Sequence, residues 1–232
     1  MTLKTLSLPG KVLFTSFFLT IGIGYLFAIL YLFLVDIEPH TQHEIGMVQA
    51  VILKYYGERG KTRLEAALEG TMSENIAPAQ KKRISEWVRR GATEADFPSV
   101  QPIFLDHCAS CHRKESGLPI PPLTAFDEVK AYVQVDMGQS IKTLVRVSHV
   151  HLFGMSFVFL LTGGIFALSE TNPRWRALLV ALPFISIWVD IGSWWFTKVE
   201  PVFAYTVIIG GLLMGFSLAT QIVISLWEMW RK

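Results

Sequence analysis

The sequence predicts an all-α fold: a four-helix transmembrane anchor with a small helical extramembrane domain inserted between helices 1 and 2. Three observations carry that prediction. Four apolar runs are each long enough to cross a bilayer at about 1.5 Å of rise per residue. The hydrophobic content of 51% and the mean hydropathy of +0.40 are concentrated in those runs rather than spread along the chain. The polar stretch between the first two runs shows helical rather than alternating spacing where its pattern is clearest.

Taken in order, the uncharged run from Val12 to Val35 forms the first span. Within the polar stretch, Ala79 to Arg90 places Ile84, Trp87 and Val88 on one face, and Gly91 ends the helix. The second span runs from about His149 to Ser169. The third covers Ala177 to Thr197 and is interrupted by Asp190, and the fourth covers Val202 to Trp227. The chain therefore divides into an anchor helix over residues 1–38, an extramembrane domain over 39–147 and a three-helix membrane domain over 148–232.

Charge sets the orientation. Lys4 and Lys11 precede the first span, Arg174 and Arg176 lie between the second and third, and Arg231 and Lys232 end the chain. Four crossings put these three places on one side, and the excess of cations in short loops makes that side cytoplasmic. The expected location is a bacterial inner (cytoplasmic) membrane, with both termini in the cytoplasm and the inserted domain in the periplasm. The first helix is longer than a signal-peptide core and is expected to stay as an uncleaved anchor. The net charge of +2, with no basic stripe, argues against a nucleic-acid partner.

The chemistry is concentrated in Cys108-Ala109-Ser110-Cys111-His112, which contains both cysteines of the chain. Cys-X-X-Cys-His is the attachment signal for a c-type haem. The thiols of Cys108 and Cys111 form thioethers to the vinyl groups, and His112 becomes the proximal iron ligand. A redox Cys-X-X-Cys pair does not need the following histidine. A structural zinc site usually draws its ligands from two separated pairs. The expected cofactor is one covalent haem c.

Two resemblances extend this reading. The sequence "APAQKKRISEWVRRGA" resembles the final helix of a small class I cytochrome c, and "VQPIFLDHCASCH" resembles that family's opening helix. The two occur in reversed order here, so residues from about Arg63 to Val135 resemble a circularly permuted cytochrome c domain. In that family a ligand methionine comes shortly before the closing helix, which nominates Met72 as the sixth iron ligand. Met137, in "VQVDMGQS", is the alternative, Met47 a third candidate, and a histidine the remaining option. The run "GLPIPPLTAF" suggests an ordered, non-helical wrap beside the haem. The C-terminal half, from "VRVSHVHLFGMSFVFLLTGGIFALSE" through "VDIGSWWFTK" to "SLWEMW", resembles a bacterial family of membrane-anchored monohaem c-type cytochromes. That resemblance implies electron transfer in a membrane respiratory system and no particular reaction.

Further polar groups gather at the predicted outer membrane face. His40 and His43 follow the first span, His149 and His151 open the second, and Asp190, Trp194, Trp195, Lys198 and Glu200 close the third. Ionisable groups at membrane depth are costly and commonly mark a functional path. Structural histidines, a quinol site, and a second metal centre (haem b or another metal ion) all fit this cluster. The leading expectation is an electron-transfer subunit passing single electrons between a membrane redox complex and a periplasmic carrier. A quinol-oxidising membrane enzyme and a haem sensor or assembly factor are the alternatives. Gly163, Gly164, Gly210, Gly211 and Gly215 suit either docking against other membrane subunits or packing within the chain's own bundle.

Overall fold

The structure is a computed structural model and describes residues 2–37 and 46–231. His40 and His43 lie outside the described residues. Four helices are long and apolar enough to cross a membrane. Helix α1 spans Leu8–Tyr31, opens with Pro9 in its first turn and runs on through a π turn over Leu32–Ile37. Its first-turn proline removes only an amide that would have no helical partner.

Shorter helices follow, among them α2 (Met47–Tyr55), α3 (Arg63–Glu69), α4 (Pro78–Arg89) and α5 (Phe126–Lys130). The remaining spans are α6 (Ile141–Phe166), α7 (Pro173–Thr197) and α8 (Ala204–Trp230). No strand occurs among the described residues; the nearest thing is an isolated antiparallel bridge between Thr62 and Val135.

Helix α6 begins earlier than its apolar run. Ser140 accepts the Thr143 amide at 3.1 Å and starts the helix two turns before His149. These first turns carry Lys142 and Arg146, so capping rather than hydrophobicity sets the boundary.

Helices α7 and α8 form the closest pair of the bundle, and a proline accounts for one of its ties. Pro183 lies inside α7 and has no amide hydrogen for the carbonyl of Leu179 one turn earlier. Gln221 of α8, fully buried, donates its Nε2 to that carbonyl at 2.7 Å. A helix defect in an apolar setting is thereby satisfied by a neighbouring helix. Nearby, Gly163 of α6 faces Val180, and Gly210 of α8 faces the backbone of Asp190 closely enough that a Cβ there would lie 3.1 Å from its Cα. Helix α1 stands apart from this trio. Of its apolar window 6% is buried, against 33% for α7 and for α8.

One end of the bundle joins the N-terminus, the α6–α7 loop and the C-terminus, as four crossings require. The Leu3 amide donates to the Leu168 carbonyl at 3.1 Å. Glu170 pairs with Lys4 at 2.7 Å and with Arg231 at 3.1 Å, while its amide donates to the buried Glu228 carboxylate at 2.8 Å.

The opposite end carries the inserted segment. Its core gathers Leu64, Leu68, Ile84, Trp87, Phe104 and Val129 around Phe97. Phe97 contacts Trp87, Phe104 and Phe126 with ring centroids 5.6, 5.8 and 5.7 Å away. Helix α3 starts with a reciprocal cap. Glu65 donates its amide to the Thr62 hydroxyl, and its carboxylate accepts the Thr62 amide at 3.0 Å. Helix α4 ends as the sequence predicts, with Gly91 at φ +97° and the Ala92 amide returning to the Trp87 carbonyl at 3.0 Å.

A strap over residues 132–140 fixes the inserted segment to the bundle. Tyr132 and Gln134 carbonyls accept from the Leu64 and Arg63 amides, each at 2.9 Å. Lys198, just beyond α7, donates to the carbonyls of Met137 and Gln139 at 2.6 and 2.7 Å. Tyr55 of α2 stacks on Trp194 at 5.7 Å, completing the junction.

Candidate functional site

The Cys-X-X-Cys-His run sits at the end of a short helical stretch, Gln101–Ile103, that widens into a π turn over Phe104–Cys108. The Cys111 and His112 amides both donate to the Cys108 carbonyl, at 3.1 and 2.7 Å. The five residues thus fold as one continuous turn. Cys108 packs half-buried against the core containing Phe104, and Cys111 is exposed. Burial pushes the Cys108 thiol above its ordinary range. A redox dithiol uses the opposite shift, because its attacking thiol has to ionise readily.

His112 is oriented by the proline-rich loop. Its Nδ1 lies 2.7 Å from the Pro121 carbonyl oxygen, and the Leu123 amide donates to the His112 carbonyl at 2.8 Å. A carbonyl can only accept, so Nδ1 carries a proton, and in the uncharged form of the ring the lone pair is at Nε2. This is the arrangement by which a backbone carbonyl fixes the tautomer of a metal-ligating histidine. The donor set, two thiols and an imidazole with a free Nε2, fits covalent haem attachment with axial ligation.

The same loop is held by Glu128, whose carboxylate accepts from the Thr124 amide and hydroxyl, each at 2.9 Å, and from the Ala125 amide at 3.1 Å. The Thr124 donors come first among the causes that lower this carboxyl to about 2. On the other side of the motif, Gln80 accepts the Ala77 amide at the start of α4 and donates its amide nitrogen to His107 Nε2 at 2.7 Å. Sequence reasoning missed Gln80 and Glu128. Neither has a local signal, because each acts on a partner brought near by folding or by a turn.

The three methionines nominated as iron ligands occupy different places. Met72 is 37% exposed in the turn after α3, between Leu68 and Ile76, both buried in the core against which Cys108 packs. Met137 belongs to the strap, where its carbonyl is held by Lys198. Met47 opens α2 and lines a cleft beside α1.

The polar groups at this end of the bundle converge only in part. His149 is exposed and its ring lies against Phe153, with centroids 5.0 Å apart. His151 points elsewhere: it meets Trp194 edge-on at 5.5 Å, and its Nδ1 lies 2.9 Å from the Val147 carbonyl. Asp190 accepts the Trp194 indole N–H at 3.2 Å, and Trp195 donates to Ser148 at 3.1 Å. Among the described residues no group of three or more His, Cys, Asp or Glu side chains is placed to hold a metal ion. A haem iron, already held by its macrocycle, would need no such group.

His151, Asp190 and Trp194 face a cleft of about 1380 Å³ between α1, α2 and the α7–α8 pair. Tyr25 and Lys54 also line it, and neither stood out in the sequence. Of the small residues in α8, Gly210 receives Asp190 and Gly215 receives the Tyr25 hydroxyl, whereas Gly211 faces open space. Two of the three therefore serve packing within the chain.

Residues 134–232 match the model of the Aq_1264_TM family, a transmembrane helical domain. No curated protein and no solved structure matches the chain. The matched region covers α6, α7 and α8 together with most of the strap that precedes them. The chain is thus a multi-pass, all-helical membrane protein whose last 99 residues are similar to a family of transmembrane helical domains.

Proposed function

We propose that the protein is a membrane-bound c-type cytochrome subunit, carrying one covalent haem on its inserted segment and passing single electrons between a membrane redox complex and a periplasmic carrier. The observation that supports this reading best is the His112–Pro121 hydrogen bond at 2.7 Å. It orients an imidazole that directly follows two cysteines with the correct spacing, and it leaves Nε2 as the only ring atom able to ligate.

The haem, when bound, supplies a one-electron iron couple. The chain's own residues then divide the work of holding it. Cys108 and Cys111 anchor the macrocycle covalently, and His112 is the proximal ligand. Met72 is the sixth ligand in this proposal, because its turn is flanked by side chains of the core that also receives Cys108. Phe97, Phe104 and Trp87 supply an apolar wall beside the motif. In the proposed orientation the Lys4, Arg176 and Arg231 end is cytoplasmic and the inserted segment faces the periplasm.

The test is a pyridine haemochrome spectrum of the full chain purified from a host able to attach haem c. One c-type band, equimolar with protein and lost in Cys108→Ala, is the expected result. A protein with an intact Cys-X-X-Cys-His motif and no c-type band would overturn the proposal.

A further inference from the structure

We propose that the cleft between α1, α2 and the α7–α8 pair is a quinol-binding site, with Asp190 and His151 accepting the hydroxyl protons of the bound head group in hydrogen bonds. The cleft is large, about 1380 Å³, and its lining changes character along the membrane normal. Toward the inserted segment it presents Lys54, Tyr55, His151, Asp190 and Trp194. Deeper in the bundle it is walled by Phe18, Gly22, Gly211, Gly215 and Ile222. An amphiphile with a polar head and a long apolar tail fits that gradient.

The polar end has a specific hydrogen-bonding character. His151 Nδ1 is engaged with the Val147 carbonyl at 2.9 Å, so in the uncharged form of the ring Nε2 is the acceptor. Asp190 accepts the Trp194 indole N–H at Oδ1, at 3.2 Å. The second carboxylate oxygen is an acceptor as well. Each acceptor suits a hydroxyl donor, and a quinol head group carries such donors. A phospholipid phosphate has no donor to match Asp190 and His151, although the Lys54 cation lies at the same end, so an anionic lipid is the competitor to test. Trp194 touches both groups, since it meets the His151 ring edge-on and donates to Asp190.

Depth adds a second argument. Asp190 stands two turns inside α7, about 10 Å below the helix end. A carboxyl at that depth is costly unless it lines a polar cavity or path. The tail route is open, because α1 forms one wall and packs weakly, with 6% of its apolar window buried. Gly211 is the one α8 glycine facing the cleft with no neighbour within 4 Å.

Binding to this cleft does not depend on the haem, so the two proposals fail separately. The full chain in phosphatidylcholine nanodiscs is titrated with a decyl-tailed benzoquinol under reducing conditions, against empty nanodiscs, with haem content recorded on each preparation. Saturable binding of one quinol per chain is expected. Asp190→Asn and His151→Leu should each weaken it by about tenfold or more, as for loss of a buried hydrogen bond. Gly211→Leu fills the cleft without touching a polar group and should abolish it. Uptake equal to that of empty nanodiscs would overturn the proposal. So would unchanged binding in Gly211→Leu, or displacement by an equal mole fraction of phosphatidylglycerol. Protein from a host able to attach haem c that is haem-free yet still binds keeps this proposal and removes the cytochrome reading instead.

Discussion

Gly57 and Gly138 cross back to back where the strap passes over the end of α2. A Cβ on Gly57 would lie 2.2 Å from the Gly138 amide nitrogen, and one on Gly138 would lie 2.4 Å from the Tyr55 carbonyl oxygen. Both have positive φ, +82° and +65°. Gly138→Ala therefore meets backbone strain and a steric clash together. It should destabilise the junction by at least about 1–3 kcal/mol and expose the strap to protease. Thermal unfolding and limited proteolysis of the full chain check this. An unchanged melting temperature and digestion pattern would show that the crossing carries no constraint.

Met72→Leu should abolish the far-red sulfur-to-iron charge-transfer band of the oxidised protein and lower its potential, as loss of an axial thioether does. Met137→Leu should change neither. Redox titration of both variants decides between them. The reverse pattern would move the ligand to the strap and remove the permuted order.

The Pro183–Leu179–Gln221 arrangement predicts a compensating pair. Gln221→Leu leaves the Leu179 carbonyl without a partner and should cost about 0.6–2 kcal/mol within the membrane. Pro183→Ala restores the amide that α7 lacks, so Gln221→Leu should cost less in that background. Unfolding in mixed detergent across the four members of the cycle measures the coupling. Additive effects would mean that the glutamine does not serve the proline gap.

Glu128 links the proline-rich loop to acid. Its carboxyl ordinarily titrates near 4.5 and is held at about 2 in the folded chain. The folded value is the lower one, so the carboxylate's contribution is fully present above about 4.5 and lost as pH falls toward 2. Glu128→Gln should flatten stability across that window. Melting curves taken between those limits on both proteins test it, and parallel curves would refute the assignment.

The four spans were legible because lipid demands long apolar runs, and such runs are visible without tertiary information. The start of α6 was not, since residues 141–148 mix Lys142 and Arg146 with apolar positions and extend the helix by capping at Ser140. The Cys-X-X-Cys-His motif was legible for a different reason: its spacing is local. Its partner Pro121 lay within a run read only as an ordered wrap, because nothing in "GLPIPPL" says which carbonyl turns toward the ring. Tyr25 was hidden inside an uncharged span. Its meeting with Gly215, 190 residues away, and the cleft it shares with Asp190, 165 residues away, come from helix packing. The spacing of Gly211 and Gly215 suggested docking or internal packing alike, and only the approach of Tyr25 distinguishes the two at Gly215.

The weak packing of α1 has a consequence for how the protein is made. A helix that leaves most of its apolar surface to lipid owes little to partners synthesised later. It can therefore settle in the bilayer as soon as it leaves the ribosome, while the interlocked α7–α8 pair has to wait for both of its members. The direction in which α1 inserts then commits every downstream segment to a side before the cysteines have been translated.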